Sequence, residues 1–580
     1  MELFPNLYVE MRDGVRLATD VYLPEGPGPW PVVLERTPYG KSVQSRSEIN
    51  GDGRMIDRAE FAQAFVREGM AVVYQDCRGR HDSEGKFEKY VNEATDGYDT
   101  LAWLSEQDWC DGDVGMLGLS YAAHTQFAAA CLNPPSLRTM VLDSGGFDNA
   151  YRWGIRQGGA FDLKQATWAF KQSKALNSLS HSGGEETPTE ELKAEIAAWF
   201  RKMPWSEGNS PLADFPEYEE YLLRQWREGA FGEYWDVPGL HNAAFYDDMP
   251  SIPVLFMSSW YDVYVPSTIR NYRAFVQKGT KPSLIMGPWL HGDRTIPNSG
   301  DLWFGSQAVF DAGFGHTWVQ HRVEWMRQVL VEKQNPAPEI RLFEMGSNRW
   351  VTGSSWPLPN AKAQVLHLSP EGRLTEEGKP GSVELIADPN FPVPTVGGQA
   401  TSGKPIFEGG AFDQVEAEGF FGADGSGRAL SSRDDVLSFS TGVLEKDFVV
   451  AGSVTVEIHF SASTPDFDIA AKLVDVHPDG SAFNITDSIM RARYRRSFSE
   501  PIDVVIGERD FLVVELPDTY TRFKAGHRLR LDIAGSNFPH FDVNPNSGEP
   551  EGYAEHPEIA RTQILLGPER SHIKLSVLSE

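Results

Sequence analysis

A serine at the tip of a sharp strand-to-helix turn can act as a nucleophile, and Ser120 has that setting. An apolar run over 114–119 ends in Gly118-Leu119-Ser120-Tyr121-Ala122, and a small-residue, helix-forming run over 122–130 follows. Strand, tight turn and helix are the context a nucleophile elbow requires. Gly118 suits the strained turn, and the helix N-terminus beneath the hydroxyl favours developing negative charge. A free serine is a poor nucleophile, so it needs a base, an orienting group and an oxyanion hole. A Gly-Ser turn before an ordinary helix is the plainer reading. The flanking strand and helix favour the elbow.

The acid and then the base are expected downstream of such a serine. Asp262, in Ser258-Ser259-Trp260-Tyr261-Asp262, follows an apolar strand pattern ending near Met257. His291, in Gly287-Pro288-Trp289-Leu290-His291, follows another ending at Met286. Both fall on the carboxyl edge where ligands bind in open α/β sheets. There His291 Nε2 would take the Ser120 proton, and Asp262 would orient the ring. An Asp after a strand also caps helices, and loop histidines are common. His124 lies four residues past Ser120 and points down the helix, whereas His81, the main rival base, lies upstream.

These residues need an α/β scaffold, and the pattern predicts one. Strands are expected over 15–23, 30–36, 70–76 and 137–142, with helices over 61–68 and 96–106. Strands at 252–257 and 282–286 resume it, with a helix over 267–278 between them. We therefore expect a catalytic domain made of residues 1–146 and 242–336. Residues 147–241 read as a helical cap rich in Trp, Phe and Tyr, one helix announced by Thr187-Pro188-Thr189-Glu190. Residues 337–580 read as an all-β jelly roll, with turns between β-branched runs over 449–462, 467–476, 511–516 and 527–533. Residues 380–405 read as a loop-rich bridge.

At 580 residues the chain exceeds one core. The formal charge of −29 opposes nucleic acid and anionic membrane surfaces as partners. No apolar run reaches membrane-span length. The N-terminal residues lack the pattern of a signal peptide. Three scattered cysteines, Cys77, Cys110 and Cys131, fit a reducing compartment, so a cytoplasmic location is expected. Asp542 to Gly548 is a poor calcium loop, its glycine one place late and Pro545 intruding. No metal or cofactor is expected.

Several motifs together resemble the cocaine esterase / α-amino-acid ester hydrolase / X-Pro dipeptidyl-peptidase family. They are Arg36-Thr37-Pro38-Tyr39-Gly40-Lys41, Gln75-Asp76-Cys77-Arg78-Gly79-Arg80, Asp96-Gly97-Tyr98-Asp99, the Ser120 elbow, Trp260-Tyr261-Asp262 and Gly287-Pro288-Trp289-Leu290-His291. Near the C-terminus, Gly526-His527-Arg528-Leu529 and Ser536-Asn537-Phe538-Pro539 join them. The resemblance spans nearly the whole chain. It implies an α/β-hydrolase core, a helical cap and a C-terminal jelly roll. It also implies an oxyanion hole made by the Tyr39 hydroxyl and the Tyr121 N–H, two donors of the kind acyl transfer needs. Tyr39 would otherwise be a turn residue. Ala123 departs from the family's usual glycine three residues after the serine.

The resemblance also bears on the substrate. Where α-amino-acid ester hydrolases place carboxylates for an ammonium group, this chain has Tyr264 and Val265. Tyr264 fits the aromatic residue of cocaine-esterase-like members. Trp153, Phe161 and Trp168 in the cap can wall an apolar acyl pocket, although cap aromatics also serve as packing. The expectation is a serine carboxylesterase acting through an acyl-enzyme on a neutral aryl or short acyl ester. An amidase, acylase or α-amino-acid ester hydrolase on the same triad is the alternative. An inactive scaffold that binds a ligand is the alternative of another class. The expected partner is a small-molecule ester, and a homo-oligomer is left open.

Overall fold

Seven apolar strands lie parallel in one sheet because helical crossovers return the chain to the same edge each time. A computed structural model describes residues 1–44, 49–51, 53–177 and 189–578. Its first sheet holds β1 (Glu2–Glu10), β2 (Arg16–Leu23), β3 (Trp30–Thr37), β4 (Ala71–Asp76), β5 (Cys110–Leu119), β6 (Leu137–Asp143), β7 (Val254–Ser259), β8 (Ser283–Gly287), β9 (Ile340–Glu344) and β10 (Arg349–Thr352). Their order is β1-β2-β4-β3-β5-β6-β7-β8-β9-β10. β4, β3 and β5 to β9 run parallel, and β1, β2 and β10 join antiparallel. β4 and β7 are buried along their whole length, as strands covered on both faces must be.

Alternation along each strand builds two cores. Val32 and Leu34 pack in the layer of Phe127 on α3 (Tyr121–Ala130) and Phe275 on α7 (Val265–Gln277). Val33, between them, faces the layer of Phe61 and Phe65 on α1 (Arg58–Val66). α2 (Glu93–Ser105) runs between β4 and β5.

Between β6 and β7 the chain forms α4 (Lys164–Asn177), α5 (Glu190–Phe200) and α6 (Pro216–Arg227). The second sheet holds β11 (Ala361–Ser369), β12 (Arg373–Thr375), β13 (Gly381–Ala387), β14 (Val436–Ser440), β15 (Phe448–Ala462), β16 (Asp468–Val476), β17 (Ala482–Arg491), β18 (Asp510–Phe523), β19 (Arg528–Ala534), β20 (Ala560–Leu566) and β21 (His572–Leu578). The ladder runs β13-β20-β15-β21-β11-β12-β14-β19-β16-β17, with β18 paired to β15. β18 also packs against β17 at the far end of that path, so the ladder folds into two facing layers.

The structure adds to or departs from the sequence pattern at four points. The first sheet does not stop at residue 336: β9 pairs with β8 and β10 with β9. β1 adds an exposed edge strand with no strong apolar pattern. β13 occupies part of the stretch expected to be loop, pairing in full register with β20. The α5 cap is Thr189, whose hydroxyl accepts from the Leu192 N–H, while Thr187 and Pro188 lie outside the described residues.

Candidate active site

Ser120 connects β5 to α3 with φ 61° and ψ −119°, a left-side backbone that a serine adopts only when its surroundings enforce it. Three hydrogen bonds enforce it. The Ser120 N–H donates to the Asp143 carbonyl at 2.9 Å, and the Ser120 carbonyl accepts from Ala123 at 2.9 Å and His124 at 3.1 Å. Gly118 has φ +149°, and a Cβ there would meet Ala122 Cβ at 2.4 Å. Gly145 is equally tight: its Cβ would stand 2.5 Å from the Ser120 carbonyl and 2.8 Å from Ala123 Cβ.

Asp262 and His291 extend from the loops after β7 and β8. His291 Nδ1 lies 2.8 Å from Asp262 Oδ2, and Asp262 is fully buried. Asp262 Oδ1 accepts from the Tyr264 N–H at 2.9 Å. Burial alone would raise this carboxyl, but the His291 ring, the Tyr264 N–H and the Ser144 hydroxyl hold it below the usual carboxylate range. An ionised Asp262 accepts a hydrogen bond from Nδ1–H, which keeps that proton on the ring and leaves Nε2 as the acceptor.

Two contacts bring the His291 loop to the elbow. Gly292 sits so close to Leu119 that a Cβ would meet its Cδ1 at 2.7 Å. Arg294 pairs with the Asp143 carboxylate, which also accepts from Arg322 at 2.6 Å. Asp143 therefore fixes Ser120 through its carbonyl and the His291 loop through its side chain. Sequence reasoning missed this residue, because a strand-ending Asp has no distinctive local signal.

The Tyr39 hydroxyl accepts from Trp168 Nε1 at 3.2 Å and is hydrogen-bonded with the Ser120 side chain. Desolvation pushes its phenol above the ordinary range, against the pull of those two bonds, so it keeps a proton to donate. Tyr121 is the first residue of α3, where the N–H has no partner within the helix. Its ring is fixed by Glu93, at 3.0 Å from the hydroxyl, and by the Tyr90 N–H at 2.9 Å.

Three of the four expected pocket residues, Phe161, Trp168 and Tyr264, share one buried apolar cluster with Tyr121. The Trp168 ring stacks against Tyr121 with centroids 6.3 Å apart, and the Tyr264 ring lies 5.6 Å from that of His291. Trp153 lies under the Arg270 guanidinium at 5.5 Å, and Arg270 pairs with Glu515 on β18. Phe161 is fully buried, its N–H donating to Asp542 at 2.7 Å. The rival base His81 bonds the Pro38 carbonyl at 3.2 Å.

The site also holds buried residues that the sequence did not single out. Lys89 is 2 % exposed and Lys164 3 %. The Lys89 ammonium lies 3.7 Å from the Trp168 ring centroid, and Lys164 lies 4.6 Å from that of Tyr264. Burial, with Lys164 nearby, pushes Lys89 well below the ordinary lysine range, and burial also lowers Lys164 against the pull of Asp162 and Asp262. His124 Nδ1 accepts from the Gly146 N–H at 3.0 Å. Burial and the two lysines hold that ring far below the usual histidine range, so it is neutral with its proton on Nε2.

Among the described residues one group, Asp475, His477 and His527 in the second sheet, brings three metal-type donors within 4.8 Å. Both rings already bond Asp475, at 3.4 Å from His477 and 2.9 Å from His527. Asp542 of the rejected calcium loop holds the Phe161 N–H, Trp226 Nε1 and the Arg491 guanidinium.

Comparison with known proteins gives the wider context. The model of the X-Pro dipeptidyl-peptidase (S15 family) matches residues 13–293. That of the X-Pro dipeptidyl-peptidase C-terminal non-catalytic domain matches residues 333–573. Cocaine esterase from Rhodococcus sp. (strain MB1 Bresler) is 31 % identical over 602 aligned residues, covering 99 % of this chain and 98 % of its own. A selenomethionine-labelled α-amino acid ester hydrolase structure matches with TM-score 0.78 and 25 % identity, over 99 % of this chain and 96 % of that one. An aminopeptidase from a marine-sediment Thaumarchaeota archaeon matches in fold, with TM-score 0.77 and 21 % identity over 99 % and 97 %.

Proposed function

As the chain belongs to the X-Pro dipeptidyl-peptidase (S15) family, alongside cocaine esterase, we propose that it is a serine carboxylesterase working through an acyl-enzyme. Ser120 attacks the ester carbonyl while His291 Nε2 takes its proton. The Tyr39 hydroxyl and the Tyr121 N–H receive the charge on the tetrahedral oxygen. His291 then protonates the departing alcohol, and water, activated by the same ring, releases the acid. The observation that carries this reading is the 2.8 Å contact of His291 with a fully buried, ionised Asp262, on a loop packed against the Ser120 elbow.

The substrate is an ester without an α-ammonium group. Tyr264 and Val265 supply no carboxylate for one, and the Lys164 ammonium above the Tyr264 ring repels it. Neutral aryl and short acyl esters meet no such barrier. The test compares kcat/KM for a phenylacetyl ester, the matching phenylglycyl ester and the isosteric phenylacetamide. The phenylacetyl ester is expected to lead. Preference for the amide or the phenylglycyl ester would point to an acylase or an α-amino-acid ester hydrolase instead.

A further inference from the structure

One face of the cap helix α4 grips Tyr39 at both ends. At the hydroxyl end, Trp168 Nε1 donates at 3.2 Å. At the backbone end the link runs through Arg80. Its Nε donates at 2.8 Å to the Pro38 carbonyl, which shares a peptide bond with the Tyr39 nitrogen. Its Nη2 donates to Gln172 Oε1 at 2.9 Å, and its Nη1 donates to the Tyr218 hydroxyl on α6. Trp168 and Gln172 stand four residues apart, so they project from the same face of α4. Phe87 lies under the guanidinium at 5.4 Å and against the Trp168 ring at 6.0 Å.

Arg80 is 1 % exposed, and each nitrogen of its fork has a different acceptor. All three acceptors are uncharged. What the planar fork supplies is geometry, since it holds groups from three elements at fixed angles. The other bonds to the Tyr39 loop do not reach the cap. The Cys77 N–H donates to the Thr37 carbonyl at 2.9 Å, and the Lys41 N–H to Asp76 Oδ1 at 2.7 Å, both joining the loop to the end of β4. His81, which shares the Pro38 carbonyl at 3.2 Å, follows Arg80 directly in the chain. The Arg80 charge also lowers the Tyr39 phenol against the rise caused by desolvation, which strengthens it as a donor.

We propose that Arg80 is a positioning residue for the oxyanion hole. It ties the Pro38–Tyr39 peptide to α4 and α6, so that the seating of the cap sets where the Tyr39 hydroxyl points. Arg80 acts through Tyr39 and not on the substrate. This deepens the esterase reading and rests on its assignment of Tyr39 as an oxyanion donor.

The test is a double-mutant cycle on a p-nitrophenyl ester. Arg80→Gln is expected to lower kcat by roughly ten- to a hundredfold with KM little changed, the upper limit being the loss of one oxyanion donor. In a Tyr39→Phe background the same substitution should change kcat by no more than about twofold, because the hydroxyl it positions is gone. An unchanged kcat in Arg80→Gln overturns the proposal. So does an equal further loss in the Tyr39→Phe background, which would make Arg80 a support of the fold alone. Arg80→Lys keeps the charge and loses the fork, so its kcat should stay within about threefold of that of Arg80→Gln. Return to the wild-type rate overturns the geometric tie. Should Arg80→Gln not fold, Gln172→Leu carries the test from the cap side. It should lower kcat by about threefold or more, the scale of one neutral hydrogen bond, and have no effect in Tyr39→Phe. No loss in Gln172→Leu overturns the proposal. Phenylboronic acid separates this role from the esterase reading, since its tetrahedral adduct on Ser120 places an oxygen in the same hole without turnover. Affinity weaker by roughly tenfold in Arg80→Gln supports the role, and equal affinity overturns it. That weakening in a protein that hydrolyses no ester would break the esterase reading and leave the role of Arg80 standing.

Discussion

The Tyr39 phenol has one proton and two hydrogen-bonded neighbours. Trp168 Nε1–H can only donate, so it occupies a lone pair of the hydroxyl. The phenolic proton is thereby free to be given to the oxyanion during reaction. Tyr39→Phe removes that proton and little volume. We expect kcat to fall by about a hundredfold or more, the scale of one lost oxyanion donor, with KM little changed. Trp168→Phe should lower kcat by a smaller factor, since it removes only the orienting bond. Steady-state kinetics on a p-nitrophenyl ester checks both, and a change confined to KM in Tyr39→Phe would reduce that residue to a pocket wall.

At the scale of elements, the β5–α3 junction is where strain is held. Ser120 occupies its unusual backbone because Gly118 lets α3 approach β5 closely. Gly118→Ala brings a methyl into Ala122 at a position with φ +149°. We expect kcat to fall at least tenfold, with a stability loss of about 1–3 kcal/mol, the scale of a strained backbone site. Ala123→Gly is the contrasting change. It restores the family's usual residue, costs about 1 kcal/mol of helix propensity, and should leave kcat within a few-fold. Urea unfolding and kinetics on both variants check this pair.

The elbow was legible in the sequence because strand, turn and helix follow one another along the chain. Asp262 and His291 were legible for the same reason, as strand-end residues. β9 was not, since only the pairing of Leu284–Met286 with Ile340–Leu342 assigns its five residues to the first sheet. The lysine pair was hidden for another reason. A single lysine in a polar stretch reads as solvated, and only the packing of α4 across the elbow buries Lys89 beside Lys164. Trp153, Phe161 and Trp168 were named together because aromatic content marks a cap, but it does not distinguish a pocket wall from packing.

At the scale of the whole molecule, one buried guanidinium ties the parts together. Arg491 ends β17, is 1 % exposed, and pairs with Asp468 on β16 and with Asp542 and Glu551. Asp542 also holds Trp226 of α6 and the backbone beside Phe161, so second sheet and cap meet at this point. Arg491→Met removes a cationic partner from Asp468, Asp542 and Glu551, two of them fully enclosed, and we expect a stability loss of about 3–5 kcal/mol. The pH dependence follows from Asp542. Burial would raise its carboxyl, but Arg491 and Arg156 depress it. Its contribution is therefore present above the unfolded value near pH ~3.9 and is lost as pH falls through the lower folded value. Thermal unfolding of both proteins from neutral to acid pH should show the gap narrowing as Asp542 protonates. A constant gap would assign the loss to packing.

The central claim is that Ser120 forms the acyl-enzyme with His291 as its base. It is tested most directly by labelling with a fluorophosphonate and locating the adduct by peptide mass spectrometry. The account predicts one adduct per chain, on Ser120, in proportion to the loss of esterase activity. Labelling should be absent in Ser120→Ala and slowed by several orders of magnitude in His291→Ala. An adduct on another residue, or full esterase activity retained after Ser120 is labelled, would contradict it.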